Sequence, residues 1–420
     1  MLKTSAAEGA RKPPRVSLRR NFTWTFAGNV LFGVSQWAVL SLIAKLGSVE
    51  MLGQYAFALA LTTPVSMLSH LNLRAVLATD MERRHSFGDY LAVRVASTVL
   101  ALAVFAVMAV IAGNSAELAA VIVLLGISLG ADNISDACYG AFQRDERMSV
   151  IARSMIARGL FSLGALAMAL RVTGKLPLAV AALAAGRAFV LLLHDLPLAS
   201  RGQELERSGA AAQWAIFRTA LPLGLVLMLV SFASNVPRYA VEAFLGAREL
   251  GVFAAVAVFL NAGSTVANAL GQTATPRLAR HYSEREVTAF RRLTATLTGL
   301  TVLVGVAGVL FAAVAGQGFL RLAYSAEYAA NAGLMVVLMG AGVLVYLAVL
   351  LGYVITSARS FLVQLPLLIL VASAAAAANW LLVPSMGLTG AAVSIALAAG
   401  LQIGGQLLIL HRTLRRAEAV

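Results

Sequence analysis

Six ionisable residues stand inside long apolar stretches, where a charge is costly unless it is paired or faces water. They are Arg158, Arg187 and Arg238, Asp132 and Asp136, and Glu242. Asp132 and Asp136 are four apart and share a helix face. The stretches holding Asp136 and Arg158 turn back on each other near 145–147, and the two residues lie about equally far from that turn. A buried Asp136–Arg158 ion pair is therefore one expectation. Arg238 and Glu242, again four apart, are a second candidate pair along one helix. Arg187 has no evident partner at its depth and is the best candidate for a charge facing a wet cavity. The planar fork of arginine suits phosphate oxygens. Such a cavity would fit an anionic substrate, and a pyrophosphate-linked carrier meets that requirement.

Polar amides form a second group: Asn29, Asn235, Asn261, Asn268 and Gln272. Asn261 and Asn268 share a face, and Asn29 and Asn235 occupy comparable places in the two halves of the chain. Either contacts to sugar hydroxyls or interhelical hydrogen bonds would explain them. Pro222 and Pro237 interrupt one apolar stretch and are candidate hinge points.

Signals for catalysis are missing. The five histidines (His70, His85, His194, His281 and His411) are scattered, and no H-E-x-x-H occurs. The dipeptide Gly174-Lys175 is followed by Leu176, so there is no Walker A loop. A single cysteine, Cys138, leaves no disulfide framework or Cys-rich metal site. The chain is expected not to be an enzyme and to need no cofactor or metal.

The elements that must position these residues are membrane spans. The composition is 60% hydrophobic and 12% charged, against roughly 45–50% and 25% in soluble domains. A span needs about 20 apolar residues. Twelve stretches qualify, at roughly 22–46, 51–73, 90–112, 117–142, 149–171, 175–196, 217–245, 249–275, 292–315, 329–353, 361–383 and 387–410. The class is thus an all-α integral membrane protein. The net charge of +14 lies in short connections, which points to orientation and anionic lipid rather than to nucleic acid.

Arginines concentrate in alternate connections, among them Arg83, Arg84, Arg144, Arg147, Arg201, Arg207, Arg277, Arg280, Arg359 and Arg412. The other side holds only Lys45, Arg171, Lys175, Arg248 and Arg321. The positive-inside rule then puts both termini in the cytoplasm of an inner-membrane protein. Leu46-Gly47-Ser48-Val49-Glu50-Met51-Leu52-Gly53-Gln54-Tyr55-Ala56 recurs, with one gap, as Leu245-Gly246-Ala247-Arg248-Glu249-Leu250-Gly251-Val252-Phe253-Ala254. The offset is about half the chain, and six spans per half is an even number. The halves therefore share orientation, related by a pseudo-two-fold along the membrane normal. The division reads as a basic arm (1–20), a first six-helix lobe (21–196), a cytoplasmic linker (197–216), a second lobe (217–410) and a tail (411–420).

With these residues in view, the chain resembles the Wzx-type polysaccharide and O-antigen flippases of the multidrug/oligosaccharidyl-lipid/polysaccharide exporter superfamily. The resemblance spans nearly the whole length. It is carried by Arg20-Asn21, Asn29, Gln36-Trp37, the repeated LG turn, Leu71-Asn72-Leu73-Arg74 with Asp80, and Tyr139-Gly140 with Gln143-Arg144. Further along come Arg158-Gly159, Leu221-Pro222-Leu223-Gly224, Asn235-Val236-Pro237-Arg238-Tyr239, Pro276-Arg277-Leu278 and Gly387-Leu388-Thr389-Gly390. The resemblance implies two lobes around a central cavity. It also implies alternating-access transport of an undecaprenyl-diphosphate-linked repeat unit for O-antigen, capsule or exopolysaccharide, beside a polymerase and chain-length machinery. It attaches roles to Arg158 and Arg238, whose flanks match. Two rival functions stay open. A cation-coupled drug exporter of the same superfamily would want a carboxylate-centred cavity around Asp132 and Asp136. A glycan polymerase would want a long external loop, and none is present.

Overall fold

The computed structural model describes residues 18–80, 82–112, 115–201, 205–358 and 364–418. Most of the basic arm (1–17), Arg359, the start of the eleventh span (361–363), part of the linker (202–204) and the last two residues lie outside the described residues.

Apolar length dictates the elements. The chain forms α1 (Leu18–Leu46), α2 (Val49–His70), α3 (Leu73–Thr79), α4 (Phe87–Ala112), α5 (Ala116–Arg144) and α6 (Met148–Thr173). There follow α7 (Leu176–Val190), which runs on through a π-turn at Leu191–Asp195 into α8 (Leu196–Ser200), and then α9 (Ala210–Leu245) and α10 (Ala247–Ser283). The last are α11 (Val287–Ala323), α12 (Ala326–Ala329), α13 (Ala332–Ser357) and α14 (Gln364–Glu418). Side chains and glycines punctuate them. Ser48 and Ser115 cap α2 and α5 by accepting from the backbone N–H of Met51 and Leu118, each at 3.2 Å. Gly387, at φ 60°, breaks α14 into two crossings where a side chain would be strained.

Eleven helices among the described residues are long and apolar enough to cross a membrane. Since the last one turns back at Gly387, the chain crosses twelve times, as the sequence implies, and it is a multi-pass membrane protein.

Packing follows the expected two-fold. In the first lobe α1 lies on α6, α2 on α5, α4 on α5, and α5 on α7; in the second α9 lies on α14, α10 on α13, α11 on α13, and α13 on α14. The repeated turn sits on the axis, where α2 meets α10. A Cβ on Gly53 would lie 1.7 Å from the carbonyl oxygen of Ala247, and one on Gly251 would lie 2.1 Å from that of Val49. Each repeat glycine thus admits the other lobe's backbone, the self-complementary contact that a two-fold requires. Arg248 ties the turns together by pairing with Glu50 (2.9 Å) and with Glu327. At this same end Trp37 Nε1 donates to the Tyr324 hydroxyl at 3.1 Å, and Ser41 Oγ donates to the Ala323 carbonyl at 2.5 Å. The lobes are therefore sealed at the end away from the N-terminus.

Symmetry fails at one place. α9 lies along α2, whereas the related pair α1 and α10 barely meet. The start of α9 also crosses to the first lobe. Ile216 and Ala220 are buried with Leu71, Phe87 and Tyr139, and Gly224 sits against Leu68 and Leu71. Before it, the linker is clipped to α4: the Ser208 N–H donates to Asp89 at 2.9 Å, and Ser86 Oγ donates to the Glu206 carbonyl at 2.5 Å. Pro222 and Pro237 leave α9 continuous.

Candidate functional site

The face of α5 that carries Asp132 and Asp136 organises the interior of the first lobe. Asp132 is held by two arginines. Arg158 of α6 places Nη1 at 3.1 Å from Oδ1, and Arg187 of α7 binds Oδ2. Arg187 also donates to Gln36 Oε1 of α1 at 3.2 Å. Both arginine side chains are buried, at 5% and 4% exposure, while the carboxylate keeps 19%. Arg158 lies between the rings of Phe32 and Tyr139, with centroids at 5.0 and 5.3 Å, a contact favourable to a desolvated cation. The Tyr139 hydroxyl is fixed in turn by Ser154 Oγ at 2.6 Å.

One turn away, Asp136 gathers His70 at 2.8 Å, Arg74 at 3.4 Å and Arg94 at 3.6 Å. Arg74 Nε donates to Gln143 at 2.9 Å, and Arg94 Nη1 donates to the Ser69 carbonyl at 3.2 Å. Arg94 thereby shares with Ser97 Oγ, which donates at 2.9 Å, a carbonyl at the C-terminal end of α2, where a cation is favoured. Its side chain is fully buried. Replacing it with Leu would take one of three basic partners from Asp136 and one of two donors from that carbonyl. We expect the Arg94→Leu protein to lose about 1–3 kcal/mol of stability, read as a lower unfolding temperature in detergent.

These geometries correct two expected pairings. Arg158 pairs with Asp132 rather than Asp136: α5 and α6 touch only sparsely, while α7 lies closely against both and brings Arg187 to the same carboxylate. Arg187, expected to stand alone, shares that carboxylate. Nor do Arg238 and Glu242 pair. Arg238 donates to Asn235 at 2.5 Å, in keeping with the weaker i, i+4 orientation when the cation comes first.

The amides separate. Asn235 is buried and donates to the Ser231 carbonyl at 2.8 Å, whereas Asn29 is exposed, so the two do not share an environment. On α10, Asn261 and Gln272 are exposed, and Asn268 is half-buried. Tyr353 of α13 bridges two of them, donating to Asn268 at 3.1 Å and accepting from Gln272 at 3.3 Å. Thr265 and Thr273 extend this exposed polar stripe, their hydroxyls donating to the helix carbonyls of Asn261 and Ala269.

Sequence reasoning did not assign site roles to Gln36, His70, Arg74, Arg94, Tyr139 and Tyr353. Gln36 lies seven residues from Asn29 on one helix face, a spacing that points to it. Arg94 was legible only as one more basic residue near a connection. At the end of α10 and the turn after it, His281, Glu284 and Glu286 bring possible metal-ligand atoms within 4.8 Å of one another, with His281 Nδ1 2.6 Å from Glu286.

Residues 18–282 match the family model described as "Polysaccharide biosynthesis protein". The chain belongs to this family. The capsular polysaccharide biosynthesis protein CapF of Staphylococcus aureus is 24% identical over 382 residues, covering 90% of this chain and 96% of that protein. Among solved structures, the inward-facing conformation of a multidrug resistance MATE family transporter of the MOP superfamily superposes with a TM-score of 0.74. It is 12% identical, and the match covers 94% of this chain and 98% of that one. The lipid II flippase MurJ in an inward closed conformation also gives 0.74, at 10% identity, covering 95% and 90%. This polysaccharide biosynthesis protein thus has the MOP-superfamily transporter fold, and the family resemblance read from its motifs holds.

Proposed function

We propose that this family member flips a lipid-linked oligosaccharide, carried on undecaprenyl diphosphate, across the bacterial inner membrane by alternating access. The observation that carries the reading is the pair of guanidinium groups sharing one carboxylate at Asp132. The two cations have one carboxylate in direct contact between them, and their buried Nε donors have no hydrogen-bond partner. Unspent buried donors call for an acceptor, and an anionic diphosphate supplies several. The seal at the Gly53–Gly251 end leaves access from the N-terminal end. By the positive-inside rule that arginine-rich end is cytoplasmic, the side on which such intermediates are assembled. The poorly joined α1–α10 seam supports an exit for the lipid tail, with the polar stripe of α10 beside the sugars. CapF and MurJ, by their descriptions, support a glycan-related and lipid-linked cargo. The same carboxylates weigh against cation-coupled drug export, since Asp132 and Asp136 already hold fixed cations.

Deletion and complementation tests this, scoring surface polysaccharide and the leaflet in which undecaprenyl-linked intermediates accumulate. Wild type restores flipping. Arg187→Gln keeps Asp132 paired with Arg158 but removes a charged donor, worth about 1.5–3 kcal/mol, so flipping falls by about tenfold or more. Intermediates that reach the periplasmic leaflet normally in the deletion strain would defeat the assignment.

A further inference from the structure

The seam between α2 and α9 holds a groove with a volume of about 850 Å³, within the range of small-ligand sites. Phe57, Leu61 and Val65 of α2 form one wall and Met228 and Phe232 of α9 the other. Along α9 the lining runs from Met228 to Glu242, ~21 Å at the helical rise, which is the reach of a long alkyl chain. One flank is open, with Leu229 and Phe232 at 59% and 54% exposure.

Among the described residues, Glu242 supplies the only charged group in this lining. Its Oε2 is buried and has no hydrogen-bond partner. Asp132, Asp136 and Asp195, the other acids deep in the helices, all have basic partners. A carboxylate in apolar surroundings is satisfied by a counter-charge or by losing its own charge.

We propose that this groove binds a single-chain hydrophobic monocation, an alkylammonium, with its nitrogen at Glu242 and its chain running between α2 and α9 toward Met228. The charge complement and the length both point there. A zwitterionic head would set a phosphate beside Glu242 in a lining that holds no basic residue. Since the two walls come from different lobes, the ligand exists in contact with both only while this seam is closed. It therefore favours the present state and inhibits transport.

The test uses the full-length protein in phosphatidylglycerol nanodiscs with radiolabelled hexadecyltrimethylammonium. Saturable binding is expected, resisting displacement by hexadecanol or hexadecylphosphocholine. Glu242→Gln weakens it by about tenfold or more, the loss of roughly 1.4 kcal/mol or more of charge interaction. Ala243→Trp, which fills the groove and keeps the carboxylate, weakens it as well. Size-exclusion profiles confirm that both variants are folded. Equal binding to Glu242→Gln, or displacement by the neutral alcohol, overturns the proposal. Binding is read without flipping, so the result stands apart from the transport reading.

Discussion

Replacing Asp132 with Asn destabilises the protein more than replacing either arginine that it holds. The substitution strands Arg158 and Arg187 together, both nearly without solvent. Removing one partner of a buried ion pair costs about 3–5 kcal/mol, and here two cations lose the same partner. Arg187→Gln, by contrast, leaves the Asp132–Arg158 pair standing and costs about 1–3 kcal/mol, the loss of one buried charged donor. The double variant Asp132→Asn/Arg187→Gln recovers part of the loss, because only one cation then remains unpaired. Thermal unfolding in detergent of the wild type, two single variants and the double variant closes the cycle, with a coupling of about 0.5–3 kcal/mol expected. An Asp132→Asn protein that unfolds at the wild-type temperature would mean that the arginines are solvated rather than held.

Gly53→Ala opens the sealed end. The added methyl would meet the Ala247 carbonyl oxygen at 1.7 Å, and a backbone atom cannot swing aside as a flexible side chain does. Overpacking of this kind costs about 1–3 kcal/mol, which falls on the closed state alone and so shifts its population by about fivefold or more. Gly251→Ala acts alike, through Val49, whereas Gly164, with nothing within 4 Å, is a silent control. A cysteine pair replacing Ser41 and Ala323, in hydrogen-bond contact at 2.5 Å, reports the seal. Crosslinking is fast in the parent and slow with either alanine. Unchanged crosslinking would place the two-fold contact outside the moving parts.

Much of this was legible in the amino-acid sequence, for reasons of scale. A span is a long apolar run, and a repeat of eleven residues survives as a pattern, so the twelve crossings and the two-fold could be read. Pairing was harder. Depth along a helix can be counted from a turn, but the identity of the neighbouring helix cannot. Asp136 and Arg158 matched in depth, yet α7 lies against both of their helices, and Arg158 reached Asp132 instead. Arg187 looked solitary because its partner lies on a helix distant in sequence. Arg94 and His70 stood near the ends of their spans, where charges are ordinary, and nothing local marked them as ligands of one carboxylate. Glu242 was the reverse case: its neighbour four residues back invited a pair that the packing does not make.

The start of α9 has a consequence for biosynthesis. Ile216 and Ala220, at 2% and 0% exposure, close a hydrophobic cluster built otherwise from the first six crossings. A ribosome that has delivered only those six has made a lobe with an uncovered patch at the N-terminal end of the bundle. The lobe finishes folding when the seventh helix enters the membrane. The natural unit of assembly thus ends near residue 245, past the midpoint of the repeat, so the two-fold of the fold and the order in which the chain matures are out of step by one helix.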